Sequence, residues 1–320
     1  MSNASTLDPS HDPAHRAGRL LLVHAHPDDE SIGTGGTMAK YVAAGAQVSL
    51  VTCTMGEEGE VLVEELLHLR ADHDDELGPH RMGELDAAMA ALGVTDYQRL
   101  GGDFRFRDSG MAYDDRGLAT ARDTLHAKSF WTVDLLEPTN ELVAVIREQR
   151  PHVLITYDEF GGYGHPDHVQ AHRVATYAFA LSGVPSYRPD LGEPWSVPRV
   201  LWTAMSESFL REGIRALRAA GDTESWGGFD PDGETGSLPP MVVPDDAISC
   251  AVDASEVVDR KLAALRAYPT QIKPDSQFFS ISNTLGDRAW SHEYFRFAGG
   301  QPFPASDGWA SDVFAGLDLE

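Results

Sequence analysis

The sequence predicts an α/β protein: a Rossmann-like, mostly parallel sheet with helices on both faces, completed by a C-terminal cap region. Two observations predict it. Short apolar, strand-like runs alternate along the chain with stretches of helical period. The first strand, helix and strand also fit within about 35 residues, the length of a βαβ unit, whose strands are parallel and joined by a right-handed crossover.

RLLLVH at 19–24 reads as the first strand. A helix is expected over 31–44, with Ile32, Met38, Tyr41 and Val42 on one face and Gly45 as its stop. AQVSLVTCT at 46–54 is the second strand. The stretch 81–93 carries the stripe Met82, Leu85, Met89 and Leu92, and a short strand is expected near 96–100. Residues 101–137 show weak periodicity, and loops of that length are usually functional or mobile. A helix over 139–149 uses Leu142, Val143 and Ile146, and Pro151 leads into the strand HVLITY. Helix, strand and helix follow at 168–182, 199–205 and 207–220. The Gly-, Pro- and Asp-rich stretch 221–246 reads as a loop, and 254–268 as an amphipathic helix. The last 50 residues lack a clear period and are expected to pack as a cap. The division that results is a disordered leader (1–18), a Rossmann-like catalytic core (19–185), and the remainder of the sheet with a substrate-shaping cap (186–320).

Composition narrows the function. Apolar residues make up 42% and charged residues 23% of the 320, which supports a packed core. With 25 Lys+Arg against 50 Asp+Glu the formal charge is −25. That sign repels phosphate backbones and anionic membranes, so neither nucleic acid nor membrane is expected as a partner, whereas a small neutral ligand is compatible. Cys53 and Cys250 read as buried, reduced thiols. No apolar run of about 18 residues is present, and the polar first 18 residues lack the apolar core of a signal peptide. A soluble, cytoplasmic protein is expected, and its oligomeric state is left open.

Two clusters carry chemistry. The first strand runs into His24-Ala25-His26-Pro27-Asp28-Asp29-Glu30, and HVLITY runs into a Gly-rich turn that ends in His165-Pro166-Asp167-His168. Ligands of parallel sheets bind beyond the carboxyl ends of strands, so neighbouring strands would bring both clusters into one crevice. Two histidines and a carboxylate with an open position are what a hydrolytic zinc site needs, and a second carboxylate can then take a proton. Adjacent Asp28 and Asp29 suit that division. Alternatives stand beside this reading. His24 is a supporting or plain strand residue, Glu30 caps the helix or supports a metal, and His168 with His172 has the i, i+4 spacing of some zinc sites. The run from His68 to His80 reads as a solvated face or lid. The Gly33, Gly35, Gly36 pattern matches neither nucleotide fingerprint.

AHPDDE (25–30) and GHPDH (164–168) resemble the paired signatures of the LmbE-like, zinc-dependent N-deacetylases that act on N-acetylglucosaminyl compounds. VTCTMGEEGEV (51–61), RDSGM (107–111) and TYDEFGGYGHPDHVQAH (156–172) resemble the branch of that family that serves mycothiol biosynthesis by deacetylating N-acetylglucosaminyl-inositol. The likeness covers nearly the whole chain from residue 19 and is weakest at 112–138 and 186–250. It implies one Zn²⁺ per subunit on His26, Asp29 and His168, with Fe²⁺ as the alternative. It implies Asp28 as the general base, His165 as an imidazolium beside the oxyanion, and Asp167 orienting or charging His165. Tyr163 would help polarise the carbonyl, and Arg81 and Asp108 would hold the hydroxyls of a small, neutral amino-sugar inositol. The nearest rival within the family is the amidase of mycothiol S-conjugates, which carries a Lys shortly after HPDDE where this chain has Gly33. A rival of another class is a sugar-binding module with a structural metal. Such a site would be fully protein-ligated and would not need the extra acids and bases.

Overall fold

The computed structural model describes residues 17–115, 118–226, 229–233, 238–275, 279, 286 and 291–320. Nearly all of the expected leader lies outside the described residues, as do parts of the 221–246 stretch.

The chain opens with β1 (Arg19–His24), α1 (Asp29–Gly33), α2 (Gly35–Ala43) and β2 (Gln47–Thr52). The single helix expected over 31–44 is broken at Thr34, whose φ of −142° is not helical. The break has an electrostatic companion. The Glu293 carboxylate accepts the N–H groups of Gly36 (2.8 Å) and Thr37 (2.7 Å) and so caps the second helix. Next come α3 (Leu77–Leu92), β3 (Asp96–Arg99), a small hairpin of β4 (Ala112–Tyr113) and β5 (Ala119–Thr120), α4 (Leu136–Gln149), β6 (Val153–Thr156), the short turn α5 (Gly161–Gly164) and α6 (Pro166–Ser182). The chain then forms β7 (Arg199–Ser206), α7 (Glu207–Ala219), β8 (Val242–Val243), β9 (Cys250–Asp253), α8 (Val258–Arg266) and β10 (His292–Gly300).

Among the described residues eight strands form the main sheet, in the order β3-β2-β1-β6-β7-β10-β9, with β8 paired to β7. The pairs from β3 through β8 are parallel, and β10 is antiparallel to both β7 and β9. The expectation that the last 50 residues only cap the fold is therefore corrected: they supply a nine-residue strand inside the sheet.

Side-chain alternation along β1 divides the core between two faces. Leu20 and Leu22 pack with Leu85, Met89 and Leu92 of α3 and Leu262 and Leu265 of α8. Leu21 and Val23 pack with Leu142, Val143 and Ile146 of α4 and with Val174 and Ala178 of α6. Both cysteines are free and buried. No helix among the described residues is long and apolar enough to cross a membrane.

Candidate active site and metal centre

β1 pairs with β2 on one side and β6 on the other, so the chain reverses its direction of sheet growth between β1 and β6. This is the topological switch point, where the carboxyl ends of strands open a crevice. The segments after β1 and β6 meet there around a cavity of about 1340 Å³, lined by His26, Asp28, Asp29, Arg81, Asp108, Tyr163, His165 and His168. Asp167 lies beneath it, fully buried. All nine residues singled out in the sequence therefore gather in one place.

Asp29 stands between two histidines. Its Oδ2 is 3.2 Å from His26 Nδ1 and accepts the His26 backbone N–H at 3.0 Å, and its Oδ1 is 3.3 Å from His168 Nε2. His168 Nδ1 lies 3.1 Å from the Gly161 carbonyl, so that nitrogen carries the proton and donates it. Nε2, 3.3 Å from Asp29 Oδ1, is a buried atom with no hydrogen-bond partner among the described residues. A ring fixed by a carbonyl on one nitrogen and free on the other is how a metal-ligating histidine is prepared. Gly161, at φ +63°, is required for this approach, since a Cβ there would come within 2.6 Å of His168 Cβ. These residues fit a divalent ion by donor type and by that free nitrogen. Ligand atoms of His26, His165 and His168 lie within 4.8 Å of one another, as do those of His26, Asp108 and Asp167, whereas Asp29 meets His26 and His168 pairwise.

The electrostatics follow from burial and proximity. Burial alone would lower the His26 pKa, but Asp108, Asp167 and Asp29 outweigh it and raise it well above the usual range. Burial would raise Asp29, but His168 and His26 hold it well below the usual carboxylate range. Asp28 differs. Burial pushes it up to about 8, against the pull of Arg81 and with the push of Asp29.

Asp28 is also unusual in its backbone, with φ 117°. Few L residues adopt such a conformation, and it costs on the order of 1–3 kcal/mol. Its surroundings enforce it. The Asp28 N–H donates to Glu30 Oε2 at 3.0 Å, its carbonyl accepts from Ser31 (3.0 Å) and Ile32 (3.1 Å), and its Oδ2 is 3.1 Å from Arg81 Nη2. The Arg81 guanidinium also donates to the carbonyls of Gly56 (2.9 Å) and Pro27. The residue expected at the sugar hydroxyls thus also clamps the neighbouring carboxylate.

Two expectations are corrected here. His165 caps α6 by accepting the Asp167 N–H through Nδ1 at 3.1 Å. An imidazolium has no lone pair for that bond, so the ring is neutral with its proton on Nε2. Burial, with His26 and His168 beside it, lowers its pKa well below the usual value in the same sense. The Asp167 carboxylate, for its part, does not serve His165. It accepts from Ser109 N–H (2.8 Å) and from the Ser109 hydroxyl, and it lies 3.3 Å from His26 Nε2. Asp108 Oδ1 is 3.4 Å from the same nitrogen and accepts the Gly110 N–H at 2.7 Å. Both carboxylates therefore support His26 from behind.

The alternatives resolve as well. His24 Nε2 bonds Thr34 Oγ1 at 3.0 Å, and His172 Nδ1 bonds the Tyr157 carbonyl at 3.1 Å. Neither belongs to a group that could hold a metal ion among the described residues. Glu30 supports the site from beneath, taking Tyr268 Oη (2.7 Å) and Ser31 Oγ (2.6 Å) besides the Asp28 N–H. The reading of the sequence missed Ser109 and Tyr157, whose parts depend on contacts with distant segments.

Two histidines and paired carboxylates at the switch point of a parallel sheet define the site of a metal-dependent hydrolase. The family model "PIG-L: GlcNAc-PI de-N-acetylase" matches residues 21–179, a span that holds both clusters. The chain belongs to this family, the LmbE-like deacetylases. It is 60% identical over 300 residues to the 1D-myo-inositol 2-acetamido-2-deoxy-alpha-D-glucopyranoside deacetylase of Nocardioides sp., covering 93% of this chain and 98% of that protein. It is 56% identical over 299 residues to the protein of the same name from Kribbella flavida, with 93% and 98% covered. Among solved structures, N,N'-diacetylchitobiose deacetylase from Pyrococcus horikoshii shares the fold, with a TM-score of 0.56 at 19% identity over 87% of this chain and 83% of that one.

Proposed function

We infer that the protein hydrolyses the acetamide of 1D-myo-inositol 2-acetamido-2-deoxy-α-D-glucopyranoside, giving acetate and the free amine, a step of mycothiol biosynthesis. The observation that carries this reading is the meeting of Asp29 with His26 and His168 beside Asp28, in a chain 60% identical to a deacetylase of that name. His26, Asp29 and His168 would hold the ion, read as one Zn²⁺ per chain with Fe²⁺ as the alternative. Such an ion supplies Lewis acidity, bringing the pKa of water to about 7 and polarising a carbonyl.

The chain's own residues do the rest. Asp28 takes the proton of the attacking water as the new C–O bond forms, and returns it to the amine nitrogen as the C–N bond breaks. A carboxyl tuned to about 8 can act in both directions near neutral pH. His165 directs Nε2–H, and Tyr163 its hydroxyl, toward the oxygen that gains charge. Arg81 and Asp108 take substrate hydroxyls. Both residues line the cavity. A neutral, water-soluble substrate agrees with the acidic chain and with a cytoplasmic reaction.

A second reading, the S-conjugate amidase, draws on space. The cavity of about 1340 Å³ exceeds the needs of an acetamido sugar, and a Cβ at Gly33 would meet only Thr203, at 3.9 Å. Turnover measured on the acetylated pseudo-disaccharide and on a bimane-type conjugate separates the two. Faster acetate release is expected, and a clear preference for the conjugate would overturn the deacetylase reading.

A further inference from the structure

Tyr157 is the first residue after β6, where it reads as the end of a buried strand. Its ring lies flat against His168, centroids 4.3 Å apart and planes at 17°. Its hydroxyl accepts the Ala25 N–H at 2.8 Å, one residue before His26. Neighbouring side chains hold it in place, since its own carbonyl bonds His172 at 3.1 Å and the His24 ring meets it edge-on at 5.2 Å. One buried side chain thus stacks on His168 and fixes the backbone that carries His26.

We propose that Tyr157 is the positioning residue of the metal centre, setting the orientation of His168 and the backbone that carries His26, and hence the affinity for the ion. This rests on the assignment of His26, Asp29 and His168 as ligands. The chemistry is general. A ligand ring that must swing into place loses affinity to the cost of ordering it, and a neighbour that stacks on it bears that cost in the fold. Stacking fixes the ring plane of His168, the Gly161 carbonyl fixes its rotation, and the hydroxyl steadies the backbone at Ala25, beside His26.

The test measures the Zn²⁺ dissociation constants of wild type, Y157F, Y157L and H168A by competition with a chromogenic chelator. Thermal midpoints of the chelator-treated proteins accompany them. Y157F keeps the ring and volume and loses only the hydroxyl, so it remains informative where Y157L does not fold. The expected result is a Zn²⁺ affinity weakened about 10- to 100-fold in Y157F, the range found when groups supporting a metal ligand are removed. Y157L should be weaker still, and H168A weakest. Unchanged Zn²⁺ affinity in Y157F, with a lowered thermal midpoint and affinity lost in H168A, would overturn the proposal and leave Tyr157 as a packing residue. Unchanged affinity in H168A would instead overturn the metal assignment itself, and this proposal with it.

Discussion

The backbone N–H of Asp167 donates to Nδ1 of His165 at 3.1 Å, while the Asp167 carboxylate turns away to Ser109 and His26. The two residues are therefore linked through the start of α6 and not through a charge pair. Asp167→Asn should weaken Zn²⁺ binding about 10- to 100-fold, as loss of a carboxylate behind a ligating histidine does. If the carboxylate acted on His165, turnover would fall while the Zn²⁺ dissociation constant stayed put. Titration of the ion with a competing chelator, beside kcat at saturating Zn²⁺, tells these apart.

Asp29 is shared between His26 and His168 at 3.2 and 3.3 Å. Asp29→Ala and His168→Ala should each lower bound metal from about one ion per chain to a small fraction, since each removes a direct ligand. Elemental analysis after dialysis against buffered Zn²⁺ checks this. Retention of a full ion by either variant contradicts the ligand assignment.

Asp28 is next to the ligands and held separately by Arg81. Asp28→Asn suits the test, because Asn keeps the size and shape of the side chain and loses only its charge and its ability to take a proton. Turnover should fall about 100- to 10,000-fold, the usual contribution of a positioned general base, with metal content unchanged. An active Asp28→Asn enzyme would move the base elsewhere.

His152 is a source of acid sensitivity outside the site. His152 accepts the Arg19 N–H through Nδ1 at 3.1 Å, and its Nε2 lies 2.9 Å from Arg19 Nη2. Burial, then the Arg19 charge, lowers its pKa from 6.5 to about 4. Between those values the unfolded chain binds the proton and the folded chain does not, so stability rises with pH across the window and is lost as pH falls through it. The urea midpoint of the wild type should decline from pH 6.5 to 4, and His152→Gln should decline less steeply. Parallel declines would assign the sensitivity to other groups.

Much of this site is legible in the sequence because strand ends are. RLLLVH and HVLITY are apolar enough to be read as buried parallel strands, and the His/Asp clusters follow each directly. The start of α3 is harder to read. Gly78 and Pro79 suggest a turn, yet proline is tolerated in a first helical turn, and the helix begins at Leu77. β10 escaped because its inner residues are mixed with His292, Glu293 and Arg296, and Glu293 is buried as a helix cap. Ser109 and Tyr157 escaped for a related reason. A serine in a loop and a tyrosine after a strand gain their roles only when segments 58 and 132 residues away arrive beside them.

The central claim is that one divalent ion, held by His26, Asp29 and His168, is required for acetate release. The most direct test follows acetate from 1D-myo-inositol 2-acetamido-2-deoxy-α-D-glucopyranoside, with metal content determined on the same sample before chelation, after chelation and after Zn²⁺ is returned. The expected result is release that disappears with the ion and returns as the bound Zn²⁺ approaches about one per chain. Acetate release that persists in protein stripped of metal would contradict the claim.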